Sequence, residues 1–150
     1  MIWLLRHGDA AEGSPDSERP LTHKGREQAR VAGEALAALG VELQMCLTSP
    51  MLRAADTAAI ACEALGVEPR ADERLAGGRF QPDELAAGHA GHVLLVGHEP
   101  DFSDALRSFT GARADMKKGG LAAMEDGVLA LLLRPRELRA IASAGQGQAR

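Results

Sequence analysis

The chain reads Leu4-Leu5-Arg6-His7-Gly8-Asp9 close to its start, and this stretch decides the predicted fold. The apolar run from Ile2 to Leu5 is typical of a short buried strand, and it ends abruptly in Arg-His-Gly. Ligands of open α/β folds bind at the carboxyl ends of strands, so Arg6 and His7 lie where chemistry is usually carried out. Gly8 permits a sharp turn and a close approach of the backbone to a ligand. The stretch therefore predicts an α/β fold with a ligand site directly after the first strand.

The side chains of Arg6 and His7 suit a phosphoryl group. A guanidinium holds an anion in a planar fork, and an imidazole can attack phosphorus as a nucleophile. Alone, the pair carries little weight, because an Arg-His pair at a strand end is often a surface feature. Other strand ends must supply matching groups.

The composition limits the class of protein. A chain of 150 residues fits a single domain with a core large enough for independent stability. Hydrophobic residues make up 45% and charged residues 25%, as in an ordinary soluble globular protein. The net charge of −4 and the aromatic content of 3% argue against a nucleic-acid-binding protein. The longest apolar runs are about six residues, far short of the roughly 20 that span a bilayer. We expect neither nucleic acid nor a membrane as a partner.

The first residues and the cysteines bear on the cellular compartment. Met1 leads directly into the first strand, so we expect no signal peptide. Cys46 and Cys62 lie in predicted regular structure and have no framework spacing. We therefore expect both to be reduced core residues of a cytoplasmic protein.

Strands and helices alternate along most of the chain. Thr22 is a typical N-cap residue, and Ser49 followed by Pro50 predicts another helix start. The predicted elements after the first strand are a helix from Thr22 to Gly40, a strand over 45–48, a helix from Ser49 to Gly66, a short strand over 67–71, a short helix over 83–87, a strand over 93–96, a helix opened by Pro100, and a hairpin of 121–124 with 128–133.

The pattern predicts the fold class and the domain limits. The uninterrupted apolar run 93–96 is typical of a strand covered on both faces, as in a parallel sheet. Asp126-Gly127 is a hairpin turn signal and places an antiparallel pair at the sheet edge. We predict a three-layer α/β/α domain with a mostly parallel central sheet over residues 1–142. Residues 143–150, rich in Gly, Gln and Ala, are expected to form a flexible tail.

Three predicted strand ends carry reactive or cationic side chains. The first has Arg6 and His7, the second runs into Thr48-Ser49-Pro50 with Arg53 one turn into the next helix, and the third ends in Gly97-His98-Glu99-Pro100. If these strands are parallel neighbours, two arginines and two histidines converge on one pocket. Positive charges repel one another in a shared pocket, and a bound anion offsets this repulsion. A phosphoryl group satisfies them, and its transfer needs mainly positioning and charge stabilisation.

These motifs resemble the histidine phosphatase superfamily with its Arg-His-Gly signature, and most of all the SixA-type phosphohistidine phosphatases. The resemblance extends from Met1 to about Leu133 and implies a phosphoglycerate mutase-like fold. The matching stretches are Leu4 to Ala10, Arg19 to Thr22 with Gly25, Thr48 to Ala54 with Thr57, and Val96 to Asp101.

The resemblance implies a role for each matching residue. His7 would be the nucleophile that becomes transiently phosphorylated, while Arg6, Arg53 and His98 would hold the phosphoryl oxygens beside Gly8. His7 must be neutral with one ring nitrogen free, and a backbone carbonyl near Gly8 would fix its tautomer. His98 would serve better protonated, as a donor. The family needs no metal, and we expect no cofactor.

Larger members of the family supply an acidic residue that protonates an alcohol leaving group. The nearest candidate here is Glu73, in Asp72-Glu73-Arg74-Leu75, and a solvated loop carboxylate is the alternative interpretation. A phosphohistidine substrate makes this gap harmless, because imidazole is a far better leaving group than an alkoxide. The chain is also too short for the insertions that cover the pocket in larger relatives. We therefore expect a metal-independent phosphatase acting on phosphohistidine carried by another protein.

Several alternatives stay open. The substrate is either a phosphorylated protein or a small phosphorylated molecule, as in a sugar-phosphate phosphatase or mutase of the same superfamily. A phosphoprotein-binding domain without activity is a third possibility. Lys117 and Lys118 either line the pocket rim, where they would contact an acidic protein substrate, or form a solvated charged run. A cysteine-dependent phosphatase is rejected, because Cys46 lies inside a predicted strand and no glycine precedes Arg53 to aim amides at phosphate.

Overall fold

A six-stranded sheet forms the centre of the computed structural model, which describes residues 1–148. The strands are β1 (Ile2–Arg6), β2 (Leu43–Thr48), β3 (Arg70–Ala71), β4 (His92–Gly97), β5 (Leu121–Glu125) and β6 (Val128–Leu133). The helices are α1 (His23–Ala38), α2 (Leu52–Glu63), α3 (Pro82–Leu85), α4 (Asp101–Thr110) and α5 (Pro135–Gln148). Within residues 1–148, none of them has the length and apolarity that crossing a membrane requires.

The strand order confirms the predicted fold class. The sheet runs β3-β2-β4-β1-β5-β6. The first four strands in this order are parallel, β5 is antiparallel to β1, and β6 is antiparallel to β5. The predicted hairpin therefore lies at one edge of a mostly parallel sheet.

Helices cover both faces of the sheet because its central strands are apolar on both sides. Residues 93–96 of β4 are all buried, as the uninterrupted apolar run predicts. On β1, Trp3 and Leu5 pack on the side of α1, α2 and α5, whereas Leu4 packs with Phe102 on the side of α3 and α4. The result is the three-layer α/β/α arrangement.

The strand register places three carboxyl ends side by side. Arg6 pairs with Gly97 across β1 and β4, and Thr48 pairs with Val96 across β2 and β4. Hydrogen bonds continue one residue further, because the His7 N–H donates to the Gly97 carbonyl at 3.0 Å. The residues that follow β1, β2 and β4 therefore meet at one edge of the sheet, as the sequence predicted.

The two predicted helix starts have different outcomes. Thr22 is the N-cap of α1, and its side chain accepts a hydrogen bond from the Gly25 N–H, which confirms that prediction. The predicted start at Ser49 is wrong, because α2 begins at Leu52. The Ser49 N–H donates to the Val96 carbonyl at 2.9 Å, so this residue continues the sheet.

The predicted flexible tail is also wrong for residues 143–148, which lie in α5. This helix packs along α1, and Leu138 and Ala142 are buried against it. A Cβ at position 145 would lie 2.5 Å from the Ala38 Cβ, so Gly145 permits the close approach of the two helices. Regular structure thus passes the predicted boundary at residue 142, and residues 149–150 of the predicted tail lie outside the described residues.

Candidate active site

Arg6, His7, Arg53 and His98 meet where β1, β2 and β4 end. The rings of His7 and His98 lie 5.2 Å apart between centroids, with their planes inclined by 58°. Both histidines and Arg53 are buried, with at most 9% of each residue exposed. The positive charges of Arg53 and Arg6 lower the pKa of both histidines, which shows that the four groups share one electrostatic environment.

The tautomer of His7 follows from its contact with the backbone. Its Nδ1 lies 2.7 Å from the Gly8 carbonyl oxygen. A carbonyl oxygen only accepts, so Nδ1 carries the hydrogen and Nε2 keeps its lone pair. Burial lowers the pKa of His7 to about 4; the hydrogen bond to Gly8 opposes this shift, and the charge of His98 adds to it. His7 is therefore neutral at physiological pH, with a nucleophilic nitrogen available.

Thr57 and Gly25 hold the turn that follows His7. The Gly8 N–H donates to Thr57 Oγ1 at 3.0 Å, and the same hydroxyl donates to the Arg53 carbonyl at 2.7 Å. A Cβ at position 8 would lie 2.5 Å from the Gly25 carbonyl oxygen, so only glycine fits there. Thr57 belongs to one of the matching stretches, in which the sequence analysis assigned it no role; its bond to the Gly8 N–H explains why a hydroxyl is present there.

A hydrogen-bond relay through Ser49 sets the tautomer of His98. Ser49 Oγ accepts from the Met51 N–H at 3.2 Å and lies 2.7 Å from His98 Nε2. Within residues 1–148 the hydroxyl makes no hydrogen bond to any other acceptor, so we assign its hydrogen to His98 Nε2, and the ring hydrogen is then on Nδ1. This Nδ1 is buried and has no hydrogen-bond partner among residues 1–148. It is an unsatisfied donor at a site that would gain from an anionic acceptor.

The surroundings of His98 disfavour the protonated form that the resemblance implies would serve better as a donor, and its protonation during the reaction stays a prediction. Burial, and then the charge of Arg53, lower the pKa of His98 to about 4, while Asp16 opposes the shift. The ring is therefore neutral near pH 7. It still donates, because the Ser49 relay leaves the hydrogen on Nδ1.

Arg53 is held by a loop whose role the sequence did not reveal. Its guanidinium donates to the Asp16 carbonyl at 2.9 Å and to Asp16 Oδ2 at 3.3 Å. Hydrogen bonding to Arg19, followed by the charge of Arg53, lowers the pKa of Asp16. Asp16 begins a short 3-10 turn in a polar loop, and only the tertiary fold places that loop against α2.

Arg6 connects the cluster to the segment before β5. One terminal nitrogen donates to the Met116 carbonyl at 2.8 Å, while Nε is buried without a partner among residues 1–148. The backbone N–H of Arg6 donates to the Gly120 carbonyl at 3.0 Å, and the Gly119 N–H donates to the His7 carbonyl at 3.1 Å. Arg6 and His98 thus each present one unsatisfied buried N–H.

Glu73 is not bonded to the four clustered residues in the described part of the chain. It is exposed in a 3-10 turn, Glu73–Leu75, that follows β3. No hydrogen bond or ion pair within residues 1–148 joins its side chain to Arg6, His7, Arg53 or His98. Its role as a general acid stays a prediction.

Cys46 is a poor nucleophile where the structure places it. The thiol is buried inside β2, against Cys62. A hydrogen bond with Cys62 and burial raise the pKa of Cys46, which disfavours the reactive thiolate. Among residues 1–148, no group of three or more His, Cys, Asp and Glu side chains is placed to hold a metal ion.

The fold and the clustered His and Arg side chains define a phosphoryl-transfer site at the carboxyl edge of a parallel sheet. Residues 2–84 match the histidine phosphatase superfamily (branch 1). An uncharacterised protein of Picosynechococcus is 33% identical over 140 residues, which cover 84% of this chain and 85% of the relative. The chain therefore belongs to the histidine phosphatase superfamily.

More local similarities concern relatives with stated activities. The phosphohistidine phosphatase SixA of Escherichia coli is 42% identical over 57 residues, or 37% of this chain and 35% of SixA. The mitochondrial serine/threonine-protein phosphatase Pgam5 of Drosophila persimilis is also 42% identical, over 60 residues, or 39% of this chain and 21% of the relative.

The similarity to one solved structure extends over nearly the whole fold. The protein histidine phosphatase SixA in complex with tungstate has a TM-score of 0.77 and 24% identity, covering 91% of this chain and 98% of that one. The chain therefore has the phosphoglycerate mutase-like fold of SixA.

Proposed function

We propose that this chain is a metal-independent protein phosphohistidine phosphatase that acts through phosphorylated His7. The hydrogen bond from His7 Nδ1 to the Gly8 carbonyl carries the proposal, because it leaves Nε2 as a neutral nucleophile. The pKa of about 4 keeps that nitrogen deprotonated at physiological pH. A nucleophile that needs no separate base suits attack on phosphorus.

Two displacements account for the reaction. In the first, His7 Nε2 attacks phosphorus, the bond to the substrate imidazole nitrogen breaks, and the departing imidazole takes a proton from water. In the second, water attacks the phosphorus on His7, releases inorganic phosphate and returns the lone pair to Nε2. Arg6, Arg53 and His98 stabilise the phosphoryl oxygens in both steps, as preorganised donors do.

The leaving group favours phosphohistidine over an alcohol phosphoester. Protonation by a positioned acid is commonly worth about 10²–10⁴-fold in rate. Glu73, the nearest candidate that the sequence offered for this role, is exposed and makes no hydrogen bond or ion pair with the clustered residues within residues 1–148. Imidazole leaves more readily than an alkoxide, so it loses less from the lack of an acid. The likeness to SixA supports the same substrate class.

A substrate comparison tests the proposal. A histidine-phosphorylated phosphotransfer domain should be turned over much faster than phosphoserine peptides or 3-phosphoglycerate, and EDTA should have no effect. Faster turnover of 3-phosphoglycerate would favour the small-molecule phosphatase or mutase, and faster turnover of phosphoserine would favour a Pgam5-like activity. Loss of activity in EDTA would contradict the metal-independent mechanism.

Trapping of the intermediate tests the nucleophile. Mass spectrometry of the protein quenched without acid should find phosphate on His7. His7→Ala should abolish turnover and leave the circular dichroism spectrum unchanged, because the ring lies at the site rather than inside either apolar core. Phosphate on Cys46 or on a serine would contradict the mechanism.

The proposed setting is the cytoplasm. Both cysteines are free thiols buried in the fold, as is usual in a reducing compartment.

A further inference from the structure

A groove of about 560 Å³ opens beside Arg6, between the start of α1, the segment before β5 and the start of α5. Seven cationic side chains line it, against the single carboxylate of Asp9. We call it the cationic groove. Its cations are Arg6, Lys24, Lys117, Lys118, Arg134, Arg136 and Arg139.

The cationic groove is joined to the phosphoryl site. Arg6 belongs to both, and its bond to the Met116 carbonyl fixes the chain just before Lys117. Lys118 Nζ lies 3.3 Å from Asp9 Oδ1, two residues after His7. A partner in the groove would therefore lie directly against the nucleophile loop.

The positive charge of the groove is only partly balanced within the chain. The carboxylates that pair with its cations are Asp9, Asp115 and Glu137. Lys24 and Arg139 make no ion pair with any residue that the structure describes. The groove thus keeps an excess of positive charge in a chain whose net charge is −4. Such segregation creates a local field that attracts an acidic partner.

The exposure of these charges favours a protein surface over a small molecule. The side chains of Lys118 and Arg136 are 46% and 77% exposed. Small-molecule sites are concave and enclose most of their ligand, whereas long exposed cations are typical of the rim of a protein interface, where they guide encounter. The cations also come from three separate segments, so they form a broad surface.

We propose that the cationic groove docks an acidic surface of the phosphoprotein substrate and so directs its phosphohistidine to His7. This inference rests on the proposed function and adds the chemistry of the partner. Carboxylates around the phosphohistidine pair with Lys24, Arg139 and the lysines before β5, while the phosphoryl group enters beside Arg6. The groove raises the rate of encounter and leaves the chemical steps to the buried site.

Charge reversal separates docking from chemistry. Lys24→Glu with Arg139→Glu removes the two exposed cations that have no described ion pair and touches none of the residues placed at phosphorus. The matched control is Arg26→Glu with Arg70→Glu, which makes the same charge change at exposed positions outside the groove. Arg26 lies two residues from Lys24 on α1, on another face of the helix.

The substrates are a histidine-phosphorylated phosphotransfer domain with acidic residues around the phosphohistidine, and phosphoimidazole, which has only the reacting group. Groove reversal should lower kcat/KM for the phosphoprotein about tenfold or more at low salt, since electrostatic steering is worth about 10–10³-fold. The loss should lie in KM, with kcat unchanged. Phosphoimidazole turnover should stay within about twofold, and the control pair should behave like the wild type. Added salt should reduce the wild-type advantage.

Each other result overturns the inference. No change for the phosphoprotein would show that the groove does not dock it. An equal loss for phosphoimidazole would assign the groove to the phosphoryl site or to a small ligand, and an equal loss in the control pair would assign the effect to overall charge. If the wild type hydrolyses both substrates, the proposed function stands whatever the groove variants do. If it hydrolyses neither, the proposed function and the docking both fail.

Discussion

The phosphoryl site and the cationic groove share Arg6 and differ in almost every other respect. In the site, His7, Arg53 and His98 are buried, and each makes a hydrogen bond that holds it: His7 to the adjacent backbone, Arg53 and His98 to residues distant in sequence. In the groove, the cations other than Arg6 are long, exposed side chains, and two of these lack an ion pair among the described residues.

The difference separates two tasks of a protein phosphatase. Burial strengthens hydrogen bonds and fixes protonation states, so it suits the groups that act on phosphorus. Exposed cations are screened by salt and act over a longer range, so they suit the capture of a partner. Substitutions in the site should change kcat, and those in the groove should change KM.

Arg53→Lys should give the largest loss among the predictions that follow. Lysine lacks the planar fork that holds both Asp16 and a phosphoryl oxygen. Losing one preorganised donor costs about 3–4 kcal/mol in the transition state, or about 10²–10³ in kcat. Single-turnover kinetics with phosphoimidazole measures this loss. Arg26→Lys is the control on exposed surface, and a loss below about tenfold at Arg53 would remove it from the phosphoryl site.

The two buried histidines should make stability depend on pH. Their pKa values are lowered to about 4 in the fold, against about 6.5 in the unfolded chain. The unfolded state therefore binds more protons between these values, so stability is full above pH 6.5 and is lost as the pH falls through 4. Each histidine contributes up to about 3 kcal/mol. No histidine lines the cationic groove in the described part of the chain, so this histidine-dependent effect belongs to the phosphoryl site.

Urea unfolding at pH 7 and pH 4.5 measures this effect. The His98→Gln variant should lose less stability than the wild type on acidification, because glutamine does not titrate. Equal losses in the two proteins would show that His98 has an ordinary pKa.

Ser49→Ala should reduce kcat by about tenfold, since a buried hydrogen bond is worth roughly 1 kcal/mol or somewhat more. Without the hydroxyl, His98 Nε2 has no donor, and the ring hydrogen is free to move from Nδ1. Nitrogen-15 NMR of the imidazole should show the change of tautomer, which a merely structural defect would not produce. Ser103→Ala removes a hydroxyl outside the site as the control. A tautomer that is unchanged in Ser49→Ala would contradict the relay.

The sequence predicted those parts of the site that lie next to strand ends. His7 and His98 directly follow β1 and β4, and parallel strands necessarily bring such positions together. The bond between Ser49 and His98 spans 49 positions, and that between Arg53 and Asp16 spans 37. Such partners depend on how separate elements pack, which no local pattern records.

The whole of α5 was missed, and its end was predicted to be a tail for a related reason. Gly145 and Gly147 have low helix propensity, so the sequence favoured a tail. In the fold, that glycine lets α5 pack closely on α1, and tertiary packing outweighs propensity. The cationic groove depends on the position of α5, because this helix supplies two of its arginines, Arg136 and Arg139.

Glu73→Gln should have the smallest effect, and it tests whether the chemistry needs a residue outside both regions. Glu73 is exposed and has no hydrogen bond or ion pair with the clustered side chains in the described part of the chain, so phosphohistidine turnover should stay within about twofold, whereas a working general acid would be worth about 10²–10⁴-fold. The control is Glu68→Gln, which makes the same change at an exposed position just before β3. The variant should be assayed on phosphohistidine and on phosphoserine, because only the alcohol needs a proton as it leaves. A loss confined to phosphoserine would make Glu73 the acid of an alcohol phosphatase and would move the preferred substrate away from phosphohistidine.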